Sequence, residues 1–288
     1  MDLCKPDSMV VQEELTMNKE LTVLKLGGAL ITDKSKPYSF RDEVLNSAAR
    51  EIRECMDEGL IESLVLVQGV GSFGHPPVLK YKLHKGFAGP EQLLQLSWTQ
   101  AKVSELRTLV VHALNEAGIP VCLMYPSSMM LAEKTRISDY FLDALKGFFE
   151  LGMVPLIGGD ILIDSVMGFS VCSGDPMMTL IAREFGAKRI IYASDVSGIY
   201  DSDPKVNPKA HLFDKIDLSD LDEAIEKMGK AGVEDASGAM KGKVQSIEPV
   251  TDLIKKGLDV SILSMMEYGS LKALLNGDTS NSTQIVVN

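Results

Sequence analysis

Lysines, glycines, one histidine and a few aspartates recur in this chain at spacings that suit phosphate chemistry. Lys25 ends an apolar run just ahead of Gly27-Gly28. A lysine there is costly to bury without an anionic partner, and glycines without Cβ atoms let the backbone approach a phosphate closely. The stretch Gly69-Val70-Gly71-Ser72-Phe73-Gly74 follows a second apolar run, and His75 comes directly after it. Asp160 and Asp175 each follow a glycine. Lys241 and Lys243 flank Gly242 ahead of a helical stretch, where backbone N–H groups can point at an anion. Taken singly, each feature has a plainer meaning: a snorkelling lysine, a turn, a capped aspartate. Taken together they predict phosphoryl transfer, which depends on positioning and charge neutralisation more than on a nucleophilic side chain.

The 69–74 stretch also spells G-x-G-x-x-G, the dinucleotide fingerprint. That reading needs a helix opening on the glycines and an acidic residue at the end of a second strand about 20 positions on. Pro76-Pro77 removes two backbone donors, so no smoothly opening helix is expected. Glu91 has the right offset but precedes a helical segment. The P-loop pattern G-x-x-x-x-G-K-[ST] is absent, as are a catalytic triad and paired glycosidase carboxylates. The loop is therefore expected to offer N–H donors, with His75 beside them, to a phosphate.

These residues need elements to hold them. Apolar runs at 21–26, 64–67, 120–124, 154–157, 189–193 and 260–263 read as buried strands. Helical spacing covers 44–57, 91–117, 137–151, 176–185, 218–228 and 243–256. Strands alternating with helices predict an α/β fold with a largely parallel sheet covered on both faces. Four of the strands end in glycine or aspartate clusters, at 27–28, 69–74, 158–160 and 194–198. In such sheets ligands bind beyond the carboxyl ends of the strands, so the four turns are expected to converge on one site. A division near residue 151 would separate an acceptor half, 21–150, from a nucleotide half, 151–288, within a single domain preceded by a loosely ordered extension over 1–20.

Composition narrows the partners. Of the 288 residues 45% are hydrophobic and 24% charged, which suits an ordinary globular chain with a large core. The net charge of −11 offers no electrostatic footprint for nucleic acid or an anionic membrane. Any anion must then be held by local lysines and backbone N–H groups. The four cysteines and four histidines show no metal-binding spacing. There is no apolar run of transmembrane length and no signal-peptide core near the start, so a cytoplasmic protein is expected.

The order of these pieces resembles the amino acid kinase superfamily and, within it, the isopentenyl phosphate kinases. The resemblance runs from about residue 21 to near the C-terminus. It rests on "KLGGALITDKSKPYSF", "GSFGHP", "HKGF", "YPSS", "SGD", "SDVSGIY" and "SGAMKGK". It implies a three-layer αβα sandwich, typically a homodimer, that uses ATP and Mg²⁺ to convert isopentenyl phosphate into isopentenyl diphosphate. By the same resemblance Lys25, Gly27, Gly28 and Ala29 cradle nucleotide phosphates, with Val70 keeping its N–H donor beside them. Asp195 lies on the nucleotide side, and Lys243 meets the nucleotide phosphates. Lys34 would stabilise the transferring group, and Asp175 would organise the lysines. Gly69, Gly74, Gly159 and Asp160 would border the acceptor, and His75 would hydrogen-bond its phosphate. Gln68, Val70, Gly158 and Ala239 depart from the family pattern, which leaves open a phosphonate acceptor of the fosfomycin type or a non-catalytic nucleotide binder. An isoprenoid tail needs an apolar slot, for which Phe87, Leu93, Leu94, Leu96 and Trp98 offer surface.

Overall fold

The computed structural model describes residues 19–33, 35–220, 242 and 244–288. Within them the strands are β1 (Leu21–Leu26), β2 (Ser63–Gln68), β3 (Val121–Leu123), β4 (Met130–Glu133), β5 (Arg136–Tyr140), β6 (Val154–Gly158), β7 (Asp160–Asp164), β8 (Gly168–Cys172), β9 (Arg189–Ser194), β10 (Lys215–Asp217), β11 (Asp259–Ser264) and β12 (Ser282–Val286). The α-helices are α1 (Gly28–Ile31), α2 (Asp42–Asp57), α3 (Gly71–Lys80), α4 (Gln92–Glu116), α5 (Asp143–Glu150), α6 (Gly174–Phe185), α7 (Thr251–Ile254) and α8 (Ser270–Leu275). The six strands expected from apolar runs match β1, β2, β3, β6, β9 and β11 to within one residue at either end.

Those six strands lie side by side and parallel in an eight-stranded sheet of order β10-β12-β11-β9-β1-β2-β6-β3. The central strands read as unbroken apolar runs because both faces are covered. On one face Val23 packs in a core with Met177, Met178 and Ile181 of α6. On the other, Leu24 and Leu26 pack with Leu45 and Ile52 of α2 and with Leu106 and Val110 of α4. The result is the three-layer αβα sandwich expected from the sequence. The sheet also joins the two sides of residue 151, since β2 pairs with β6 and β1 with β9.

Three expectations need correction. Pro76-Pro77 does not stop a helix: α3 runs from Gly71 to Lys80 through both prolines. The Ser72 carbonyl, which residue 76 would bond in an unbroken helix, instead accepts the Tyr38 N–H at 3.2 Å. A neighbouring segment thus satisfies the group that the proline leaves over. Secondly, the helix expected over 137–151 begins only at Asp143, because Arg136–Tyr140 is strand β5. Lys134 and Thr135, with φ of 49° and 69°, form a two-residue left-handed turn between β4 and β5. The Asp164 carboxylate accepts both of their N–H groups, at 3.1 and 2.9 Å, and so holds a turn that neither residue favours. Strands β5, β4, β7 and β8 build a second, four-stranded sheet that the apolar runs did not reveal. Thirdly, the 243–256 segment is not one helix. A 3₁₀ turn at Glu248–Val250 interrupts it, where Pro249 lacks a donor. Of the helix expected over 218–228, only the 3₁₀ turn Leu218–Asp220 falls among the described residues.

Candidate active site

Strand β1 is where the connections of the sheet diverge, with β2 on one side and β9 on the other. Open α/β sheets bind ligands at such a point, beyond the strand ends. The four turns singled out in the sequence leave the carboxyl ends of β1, β2, β6 and β9 and line one cavity of about 500 Å³. Its wall includes Lys25, Gly27, Gly28, Ala29, Gly69, Val70, Gly74, His75, Gly159, Asp160, Asp175 and Asp195. Glycine is required where the turns cross. A Cβ at Gly69 would stand 2.2 Å from the Gly28 nitrogen, and one at Gly28 would stand 2.5 Å from the Gly71 nitrogen. Gly71 in addition has a φ of +43°. The glycines therefore let backbone segments meet edge to edge around the cavity.

Charge in the cavity is arranged in pairs. Lys25 leaves β1 on the α6 side, and its ammonium donates to Asp175 Oδ1 at 2.5 Å. The two side chains are only 10% and 16% exposed, so little water screens the pair. Asp195 pairs with Lys205, and Asp160 lies 3.2 Å from the Arg107 guanidinium. A fourth carboxylate on the wall, Asp203, caps its own loop by accepting the Lys205 N–H at 2.9 Å. The first residues of α3 and α6, Gly71 and Gly174, also line the cavity, so two helices turn their positive ends towards it. Ser173 caps α6 by accepting the Asp175 N–H at 3.3 Å. This environment suits polyphosphate rather than a cation.

The polar loop after β1 is tied to the loop after β2. Ser72 N–H donates to Thr32 Oγ1 at 2.9 Å, Ser39 N–H donates to Ser72 Oγ at 3.1 Å, and the Tyr38 ring meets Phe73 edge-on at 5.8 Å. His75 lies on α3 just past this junction. Beyond it the wall turns apolar, with Val78 of α3, Val103 of α4, Ile161 of β7 and Val171 of β8. The side chains expected to supply this surface do not. Phe87, Leu93, Leu94 and Trp98 are exposed and lie off the wall, and Leu96 packs beside Ile161 in a small separate core. The reason is rotational: α4 turns Thr99, Gln100 and Val103 to the cavity and leaves Leu94 and Trp98 on its outer face.

Two expected site residues, Lys34 and Lys243, lie outside the described residues, as does Ala239; Gly242, next to Lys243, is on the cavity wall. Three charged residues at the site, Arg107, Lys205 and Asp203, were not singled out in the sequence. Arg107 falls on the same stripe of α4 as Val103, Val110 and Leu114, and a charge on a buried stripe is a readable signal. Lys205 sits in a proline-bounded loop that carries no such signal. Cys172 is on the wall too, but burial, followed by the charges of Asp160 and Asp175, pushes its thiol up to about 12. It is protonated at neutral pH and unsuited to act as a nucleophile. Among the described residues no three His, Cys, Asp or Glu side chains gather as a metal cage, and no helix is long and apolar enough to cross a membrane.

Comparison with known proteins bears on what this cavity belongs to. Residues 20–264 match the model of the amino acid kinase family. The chain is 33% identical to the isopentenyl phosphate kinase of Methanothermobacter thermautotrophicus over 92% of its own length and 98% of that protein. It is 30% identical to the isopentenyl phosphate kinase of Methanocaldococcus jannaschii over 79% of its own length and 86% of that protein. Among solved structures, an isopentenyl phosphate kinase superposes with a TM-score of 0.73 at 29% identity, covering 93% of this chain and all 100% of that one. With its αβα sandwich and its glycine turns around one anion-suited cavity, the chain belongs to the amino acid kinase family.

Proposed function

We propose that the protein is a small-molecule phosphate kinase that transfers the γ-phosphoryl group of ATP to isopentenyl phosphate, releasing isopentenyl diphosphate and ADP. One observation carries this reading: a single cavity joins a glycine-walled middle, faced by the starts of two helices and the Lys25–Asp175 pair, to an apolar end beyond His75. The relatives' own description as isopentenyl phosphate kinases supports it. The middle suits phosphates, and the apolar end suits a short branched hydrocarbon. In this reading an oxygen of the acceptor phosphate attacks the γ-phosphorus while the bond to the β-phosphate oxygen breaks. Lys25, oriented by Asp175, neutralises charge that builds on the transferring group. Gly27, Gly28, Ala29 and Val70 offer backbone to the nucleotide phosphates, and Asp195 and Lys205 mark the nucleotide side. Gly69, Gly74, Gly159 and Asp160 border the acceptor, and His75 donates to its phosphate. Lys34 and Lys243 keep their assignments to the transferring and nucleotide phosphates. The acceptor half, 21–150, and the nucleotide half, 151–288, keep their assignments, although the β7–β8 hairpin joins the acceptor side and Gly27, Gly28, Ala29 and Val70 the nucleotide side.

Among the described residues the wall offers separate carboxylates rather than a metal cage, which fits Mg²⁺ carried mainly by nucleotide phosphates with a carboxylate such as Asp175 in support. When bound, Mg²⁺ would offset charge on the β- and γ-phosphates. The same reading carries a homodimer in the cytoplasm, and light scattering that returned a monomer mass would overturn the first part. The activity itself is tested by incubating the protein with ATP, Mg²⁺ and, separately, isopentenyl phosphate, dimethylallyl phosphate and fosfomycin, then following products by phosphorus NMR. A diphosphate from the isoprenoid substrates is expected. Product from fosfomycin alone would reassign the acceptor, and ATP binding without any product would favour a non-catalytic binder.

A further inference from the structure

Three ion pairs at the cavity among the described residues are not alike. In Asp175–Lys25 and Asp195–Lys205 both partners stand on the wall. In Asp160–Arg107 only the carboxylate does. Arg107 is 2% exposed, set into the apolar face of α4 beside Leu106 and Val110. Its Nη2 donates to the Gly159 carbonyl at 2.8 Å and lies 3.2 Å from Asp160 Oδ2. Its guanidinium carbon stands 4.8 Å from the centre of the Tyr125 ring. Asp160 Oδ2 also accepts the Ser127 N–H at 3.1 Å, and Oδ1 accepts the Ile161 N–H at 2.9 Å. Packing does not call for a cation here. A buried arginine on this stripe costs desolvation that a leucine or methionine would avoid. Its hydrogen bond and ion pair go to Gly159 and Asp160, where the chain leaves β6 of the large sheet for β7 of the small one.

We infer that Arg107 is a positioning residue for the acceptor phosphate: it fixes the Gly159–Asp160 wall and cancels the Asp160 charge beside the bound anion. The inference rests on the proposed kinase reading. In a poorly screened cavity, an unpaired carboxylate at Asp160 would repel a dianionic acceptor. Asp160 follows β6 and Asp195 follows β9, three strand spacings or about 14 Å apart across the sheet. Arg107 therefore acts beside the acceptor and away from the Asp195 side of the nucleotide.

The test compares Arg107→Met, Arg107→Lys and the double variant Arg107→Met with Asp160→Asn. Steady-state kinetics give KM for isopentenyl phosphate and for ATP, and thermal melts with and without ATP show that each variant is folded. Arg107→Met is expected to raise the acceptor KM about tenfold or more while leaving that for ATP within about twofold. Arg107→Lys keeps the charge and should stay much closer to wild type. The double variant strands no charge and should regain much of the loss. If Arg107→Met does not fold, the lysine variant and the double variant still carry the comparison. A second readout needs no turnover. In the presence of ATP, stabilisation of the protein by millimolar inorganic phosphate should be lost in Arg107→Met and return in the double variant. That separates a wrong role for Arg107 from a wrong acceptor. An unchanged acceptor KM in folded Arg107→Met, equal losses for ATP and acceptor, or a double variant no better than Arg107→Met would each overturn the inference.

Discussion

Lys25 and Asp175 are 150 positions apart in sequence and 2.5 Å apart in space. Each was readable alone, Lys25 from its place between an apolar strand and two glycines, Asp175 from its place after a glycine. Their pairing was not, because it depends on α6 packing under β1. If the pair acts in transfer, Lys25→Met and Asp175→Asn should each lower kcat by roughly 100-fold or more, with a smaller change in the ATP KM. A kcat within a few-fold of wild type for both would return them to a structural ion pair. Arg107 could have been found from the charged position on a buried stripe, whereas Lys205 could not. The buried thiols give a pH test. Burial first, then neighbouring carboxylates, pushes Cys172 and Cys55 up to about 12. Their folded pKa values exceed the unfolded ones, so the unfolded chain loses these protons first as pH rises. Stability is fully kept below the ordinary thiol value near 9.0 and falls between there and about 12. Denaturant midpoints from pH 7 to 10 should show this decline, and Cys172→Ala should flatten it; a slope that Cys172→Ala leaves unaltered would contradict the assignment.

At the scale of elements, the buried parallel strands were the most legible part of the chain. Each is a short apolar run that must be covered on both faces, and such runs mark their own ends. The small sheet was not legible, because its strands are short and partly exposed and its first turn lacks the usual residues. Lys134 and Thr135 hold left-handed backbone only with Asp164 bonded beneath them. Asparagine followed by glycine is the pair such a turn prefers, so the double substitution Lys134→Asn with Thr135→Gly is expected to raise stability by about 1 kcal/mol. Urea unfolding measures this, and a loss of stability would mean the turn is held by contacts of the original side chains. Helix α3 teaches the opposite lesson. Two prolines are a strong local signal against a helix, yet the Tyr38 N–H reaches the Ser72 carbonyl from another loop. A signal read along the chain cannot include a partner supplied from across it.

At the scale of the molecule, a chain of net charge −11 holds a cavity suited to polyanions. It does so locally, with helix ends, backbone turns and carboxylates that each carry a cation or cap a loop. The same cavity runs from that polar middle into an apolar end built by the small sheet and by α3 and α4. This continuity would select a phosphate bearing a short hydrocarbon tail. The most direct measurement is kcat/KM under saturating ATP for isopentenyl phosphate and for methyl phosphate, which shares the phosphate and lacks the tail. Each buried carbon contributes about 0.8 kcal/mol, so the four extra carbons should favour isopentenyl phosphate by roughly 200-fold. A ratio near one would contradict the account, because the apolar end would then have no part in recognising the acceptor.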